Sequence, residues 1–94
     1  MRIYVRFKVF ESVVEPAAIN RAIAVFGDKM QVIGPKLQAG GVVAGKREGF
    51  MVLDVASEDE AFLLFAELAD FSDIDIHPLA SFEVLGEYLA GHQL

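Results

Sequence analysis

The run Phe50-Met51-Val52-Leu53-Asp54-Val55-Ala56-Ser57-Glu58-Asp59-Glu60 passes from a strand pattern straight into a helix start. Phe50 to Val55 is a short apolar stretch rich in β-branched and aromatic residues, the composition of a buried strand. Ser57 with Glu60 three residues on has the spacing of a capping box, in which each side chain satisfies a free backbone N–H of the other. A strand that runs into a capped helix is one half of a strand–helix–strand unit. What lies on either side therefore decides the fold.

Upstream, Arg47-Glu48-Gly49 reads as a turn, preceded by a short strand near Val42–Lys46 and a connector through Gly40-Gly41. Before that, Ile19, Ile23, Phe26, Met30 and Ile33 recur at three- and four-residue steps, which predicts an amphipathic helix over 16–33. Pro16 suits its first position. Gly34-Pro35 should end it, because a residue before proline avoids helical geometry. Ile3, Val5, Phe7 and Val9 alternate with Arg2, Tyr4, Arg6 and Lys8, so residues 2–10 read as a first strand. Downstream, Ala61, Leu64, Phe65 and Leu68 share one helix face. Ile74 and Ile76 alternate with Asp73, Asp75 and His77 in a last strand, and Phe82, Leu85 and Leu89 predict a short helix containing Gly86.

The order β-α-β-β-α-β plus a tail is the split βαβ, ferredoxin-like pattern of an α+β domain. Right-handed crossovers place the first strand between the third and fourth, antiparallel to both, in a four-stranded sheet. Two helices cover one sheet face and leave the other open. The 94 residues leave room for a single domain, residues 1–94. With 54% apolar residues in so small a chain, apolar surface should remain after folding, and a self-complementary interface is the usual cover. A homodimer or higher assembly is expected.

The chain has no cysteine, so thiolate chemistry and Cys-based metal sites are excluded. Met1-Arg2-Ile3-Tyr4-Val5-Arg6-Phe7-Lys8 carries charges within its apolar run and reads as a strand, not a signal peptide. No apolar stretch reaches the ~18–20 residues of a membrane span. These features predict a cytoplasmic protein with no membrane partner. The net charge of −6 argues against nucleic acid as a partner, since such binding rests on Lys and Arg releasing counterions. All eight basic residues lie in positions 1–47 with three acids, and positions 48–94 hold eleven acids and no base, giving halves of about +5 and −11. In one small domain these halves must meet.

Alternation predicts where. If Ile3, Val5, Phe7 and Val9 face the helices, then Arg2, Tyr4, Arg6 and Lys8 face the open side, joined by Phe50, Val52 and Asp54 from the third strand and by Asp73, Asp75 and His77 from the last. His77 and Asp75 are the candidate catalytic pair, an imidazole oriented by a carboxylate. Tyr4, Arg6, Lys8 and Asp54 are the candidate ligand-binding residues, with the cations suited to a small anion. Cross-strand ion pairing without a ligand accounts for the same charges. Gly40-x-x-x-x-Gly45-Lys46-Arg47 nearly matches a phosphate-binding loop, but Arg47 stands where Ser or Thr is required and a strand follows. Asp73-x-Asp75-x-His77 as a metal site is opposed by the adjoining basic row. No cofactor and no metal are expected.

The element order, with Phe50-Met51-Val52-Leu53-Asp54-Val55-Ala56-Ser57 entering a capped helix and Phe71-Ser72-Asp73-Ile74-Asp75-Ile76-His77-Pro78-Leu79 entering the final strand, resembles the dimeric α+β barrel superfamily. The likeness extends to its muconolactone isomerase-like members and to small bacterial domains of similar length. The resemblance implies a sheet-to-sheet homodimer with a pocket for a small anionic or aromatic ligand. It also implies possible activities: a small-molecule isomerase or a cofactor-free monooxygenase, with a non-catalytic ligand-binding or regulatory module as the alternative. A third reading, an interaction domain whose open face is filled by its own dimer contact, stays open. Fold alone does not choose among them.

Overall fold

In the computed structural model, which describes residues 1–92, alternation along the first strand sets the layers. β1 (Arg2–Val9) lies at the centre of an antiparallel sheet of order β2-β3-β1-β4, with β2 at Leu37–Val42, β3 at Glu48–Asp54 and β4 at Ser72–Pro78. α1 (Pro16–Ile33) and α2 (Glu58–Phe65) form the crossovers, and α3 (Phe82–Gly91) follows β4. This is the expected βαββαβ order with its C-terminal helix. Among the described residues, no helix is long and apolar enough to cross a membrane.

Ile3 and Val5 of β1, Met51 and Leu53 of β3, Ala22 and Ile33 of α1, and Ala61, Leu64 and Phe65 of α2 are all buried in one cluster. Their burial by both helices is the main favourable term holding the layers together. α1 starts at Pro16 and stops at Ile33, and Gly34–Lys36 makes one tighter turn before β2. The Arg47 guanidinium donates to the Val13 carbonyl at 2.6 Å, tying the β2–β3 hairpin to the loop before α1.

The second strand lies elsewhere than its side chains predict. β2 spans Leu37–Val42 and not Val42–Lys46, the turn falls at residues 43–47, and β3 begins at Glu48. Gly40 and Gly41 are strand residues opposite Met51 and Phe50. A Cβ on Gly40 would lie 3.0 Å from the Phe50 carbonyl oxygen, so the glycine there permits close backbone approach. Gly45, at φ +76°, takes the left-handed position of the turn.

α2 is capped as its spacing predicts, with one change of partner. The Glu60 N–H donates to Ser57 Oγ at 3.2 Å, but the Glu60 carboxylate accepts from Ala56 N–H at 2.6 Å, one residue before the cap. Lys36 Nζ lies 2.7 Å from the same carboxylate. The hydrogen bond to Lys36, then that from Ala56, holds Glu60 below its ordinary value of 4.5. A carboxylate shifted down stabilises the fold above its unfolded value and ceases to do so as acid protonates it. Glu60→Gln is therefore expected to melt a few degrees below wild type at pH 7, with the gap closing as pH falls from about 4.5 through the lowered value. Thermal melts from pH 7 to pH 3 read this directly; a gap that stays constant would sink the assignment.

Candidate functional site

The helices cover one side of the sheet, and the other carries the charged rows. Register places Tyr4 opposite His77 and Val52, Arg6 opposite Asp75 and Phe50, Lys8 opposite Asp73 and Glu48, and Arg2 opposite Asp54. Side chains two residues apart on a strand share a face, so all six candidate residues lie on the open side. They do not form one cluster. Tyr4, Arg6, Asp75 and His77 occupy two adjoining cross-strand rows. Lys8 is one row further along, between two acids. Asp54 is at the opposite end of β3, four residues from Phe50, or about 13 Å along the strand. There its Oδ1 lies 3.3 Å from the Met1 ammonium.

Within the central rows, the Arg6 guanidinium donates to Asp75 Oδ2 at 3.0 Å. That hydrogen bond and the Asp75 charge push the Arg6 pKa up. The pair is exposed in the single chain and contributes little to its stability. The Tyr4 ring stacks on Phe50 with centroids 6.1 Å apart and faces His77 at 6.5 Å. The result is an aromatic lane of Phe50, Tyr4 and His77 across three strands, with a guanidinium beside it.

One expected contact is replaced. Asp75 engages Arg6, and no hydrogen bond joins it to His77 among the described residues. Residues two apart on one strand stand about 7 Å from each other, whereas cross-strand partners stand about 5 Å apart, so the carboxylate meets the guanidinium first. The imidazole is exposed. Five surface grooves of about 250–410 Å³ are lined by residues other than Tyr4, Arg6, Asp75 and His77. Among the described residues, no group of three His, Asp or Glu side chains lies together as a metal site would require.

Phe50 is the member of the lane that the candidate list omits. Alternation already puts it on the open face, and the missing step is that it lies diagonal to Tyr4, close enough for two rings to touch.

No protein-family model matches the chain, and a comparison with curated proteins finds no match. Among solved structures, muconolactone isomerase superposes with a TM-score of 0.66 at 20% identity, covering 86% of this chain and 90% of that one. The 5-chloro-2-hydroxyhydroquinone dehydrochlorinase of Burkholderia phenoliruptrix, in complex with 2,5-dihydroxybenzoquinone, superposes with a TM-score of 0.58 at 15% identity, covering 85% and 94%. At that level of identity the likeness is one of architecture, and this chain has a ferredoxin-like α+β fold like theirs.

Proposed function

We propose that the open sheet face binds a small anionic or aromatic-ring metabolite and that His77 moves a proton on it, so that the protein works as a cofactor-independent isomerase and as a homodimer. The observation that carries this is the lane of Phe50, Tyr4 and His77 with Arg6 at its side. Arg6 is suited to a carboxylate or enolate oxygen, which would displace Asp75 from its guanidinium. Phe50 and Tyr4 offer a ring-stacking surface. The His77 imidazole takes a proton from carbon, the C–H electron pair forms a new double bond while the existing double bond opens toward its far carbon, and the same proton returns there. Nothing is gained or lost from the substrate. A partner sheet over this face would exclude water and strengthen each polar contact. That two proteins of this fold are an isomerase and a dehydrochlorinase acting on small molecules supports the reading.

The test is a thermal-shift screen with muconolactone, 2,5-dihydroxybenzoquinone and benzoate, followed by product analysis. A binder at 100 times its Kd adds about 2.7 kcal/mol of stability. Arg6→Ala is expected to weaken that binding by tenfold or more, since a charge-assisted hydrogen bond contributes about 1.5–3 kcal/mol. Absence of any shift across carboxylates and quinones would remove the reading. A second reading, a binding or regulatory module without turnover, is favoured by the engagement of Asp75 with Arg6 instead of His77. It predicts the same shifts with no product.

A further inference from the structure

The Arg6–Asp75 pair is joined by one hydrogen bond, from guanidinium Nη2 to carboxylate Oδ2 at 3.0 Å. Among the described residues neither side chain makes another. A guanidinium carries five N–H donors in a planar fork, and a carboxylate accepts at both oxygens. Most of the Arg6 donors and the Asp75 Oδ1 are therefore left over, on side chains that are 57% and 47% exposed. The pair offers both signs of charge side by side, at the edge of the aromatic lane.

Charge around this pair is balanced. Lys8, in the next row, stands opposite Asp73 and Glu48, and Lys46 Nζ lies 3.8 Å from the Glu48 carboxylate. On this part of the face Arg6, Lys8 and Lys46 match Asp75, Asp73 and Glu48. A bare anion that takes Arg6 from Asp75 breaks the balance, leaving an unpaired carboxylate about 7 Å along the strand from Asp73. Such a charge is costly, and more so once water is excluded. A ligand carrying a carboxylate and an ammonium avoids the cost. Its carboxylate accepts from the unused guanidinium N–H groups, its ammonium donates to Asp75 Oδ1, and no protein charge loses its partner.

The lane sets the remainder of the ligand. Tyr4 and His77 form the row beside Arg6 and Asp75, about 7 Å along the strands, and Phe50 stacks on Tyr4 with centroids 6.1 Å apart. A ring attached one carbon beyond the charged head reaches the Tyr4 and Phe50 faces while the head stays on the ion pair.

We infer that the open face recognises an aromatic α-amino acid as a zwitterion, with its carboxylate on Arg6, its ammonium on Asp75 and its ring on Tyr4 and Phe50. Recognition of this kind rests on the reading of that face as the binding site. It narrows the ligand from anionic or aromatic to both at once, with an added amine. Asp75 is then a specificity-determining residue and not only a competitor for Arg6.

Calorimetric titration with three probes separates the contributions: L-phenylalanine, 3-phenylpropionate, which lacks the amine, and 2-phenylethylamine, which lacks the carboxylate. Phenylalanine is expected to bind at least tenfold tighter than either, the effect of one charge-assisted hydrogen bond. In Asp75→Asn its affinity falls tenfold or more, while 3-phenylpropionate gains, because Arg6 loses its internal competitor. The pair is exposed, so this exchange leaves the fold in place. Asp73→Asn, one row away, keeps the preference for phenylalanine; an equal loss there means that only overall negative charge is felt, and overturns the assignment. If 3-phenylpropionate matches phenylalanine and Arg6→Ala weakens both, the zwitterion is overturned and the anion reading stands. Tightest binding by 2-phenylethylamine overturns it in favour of a cation. Phenylalanine binding undiminished in Arg6→Ala places the ligand elsewhere and overturns both. If none of the three binds, zwitterion recognition falls, and the carboxylate and quinone screen decides the wider reading by itself.

Discussion

If the proposed proton transfer holds, His77→Ala is expected to lower turnover of whatever substrate the ligand screen identifies by about 10²–10⁴-fold, the usual contribution of a positioned general acid–base. The fold should survive, because His77 is an exposed residue of an edge strand. The loss belongs in kcat, with KM nearly unchanged, since Arg6, Tyr4 and Phe50 still hold the ligand. Single-turnover kinetics and far-UV circular dichroism on the same samples separate chemistry from folding. Undiminished turnover in His77→Ala would end the catalytic assignment and leave Arg6-dependent binding as the surviving function.

Gly49→Ala is the largest stability effect expected from adding one methyl group. A Cβ at Gly49 would sit 2.6 Å from the Gly41 carbonyl oxygen and 2.7 Å from Phe7 Cζ. One obstacle is backbone of the neighbouring strand and the other is a ring packed on the core, so the methyl cannot be accommodated by turning a flexible side chain. Either β2 is pried from β3 where Val42 pairs with Gly49, or Phe7 leaves its contact with Phe26. Overpacking of this kind costs about 2–3 kcal/mol. That corresponds to a fall in Tm of roughly 10–20 °C for a domain of this size. Gly27→Ala is the control. Nothing lies within 4 Å of a Cβ there, in the middle of α1, and the gain in helix propensity should stabilise by about 0.5–1 kcal/mol. Urea unfolding of both variants checks the contrast, and equal midpoints would refute it.

Periodicity made β1, α1 and the capped start of α2 readable, because each carries its burial pattern in its own residues. It failed at β2, where the strand runs through Gly40 and Gly41 and its fit depends on the absence of side chains. Glycines that open space for a neighbouring backbone look, in one dimension, like glycines of a loop. The membership of the open face followed from alternation and topology together, which put Arg6 beside Asp75 and Tyr4 beside His77. Which acid would meet which base did not follow. Asp75 has two possible partners within two positions, and the nearer one is set by the pairing of strands.

The central position of β1 also bears on how the chain is made. Both of its neighbours come later, β3 at residues 48–54 and β4 at 72–78, so its hydrogen bonds have no takers while the first half is being synthesised. At about 5–20 residues per second, Ile3 and Val5 wait on the order of ten seconds for the last strand to leave the ribosome. The sheet is thus completed only once the last strand is out, and a transcript cut short before Pro78 yields a product whose middle strand has a naked flank.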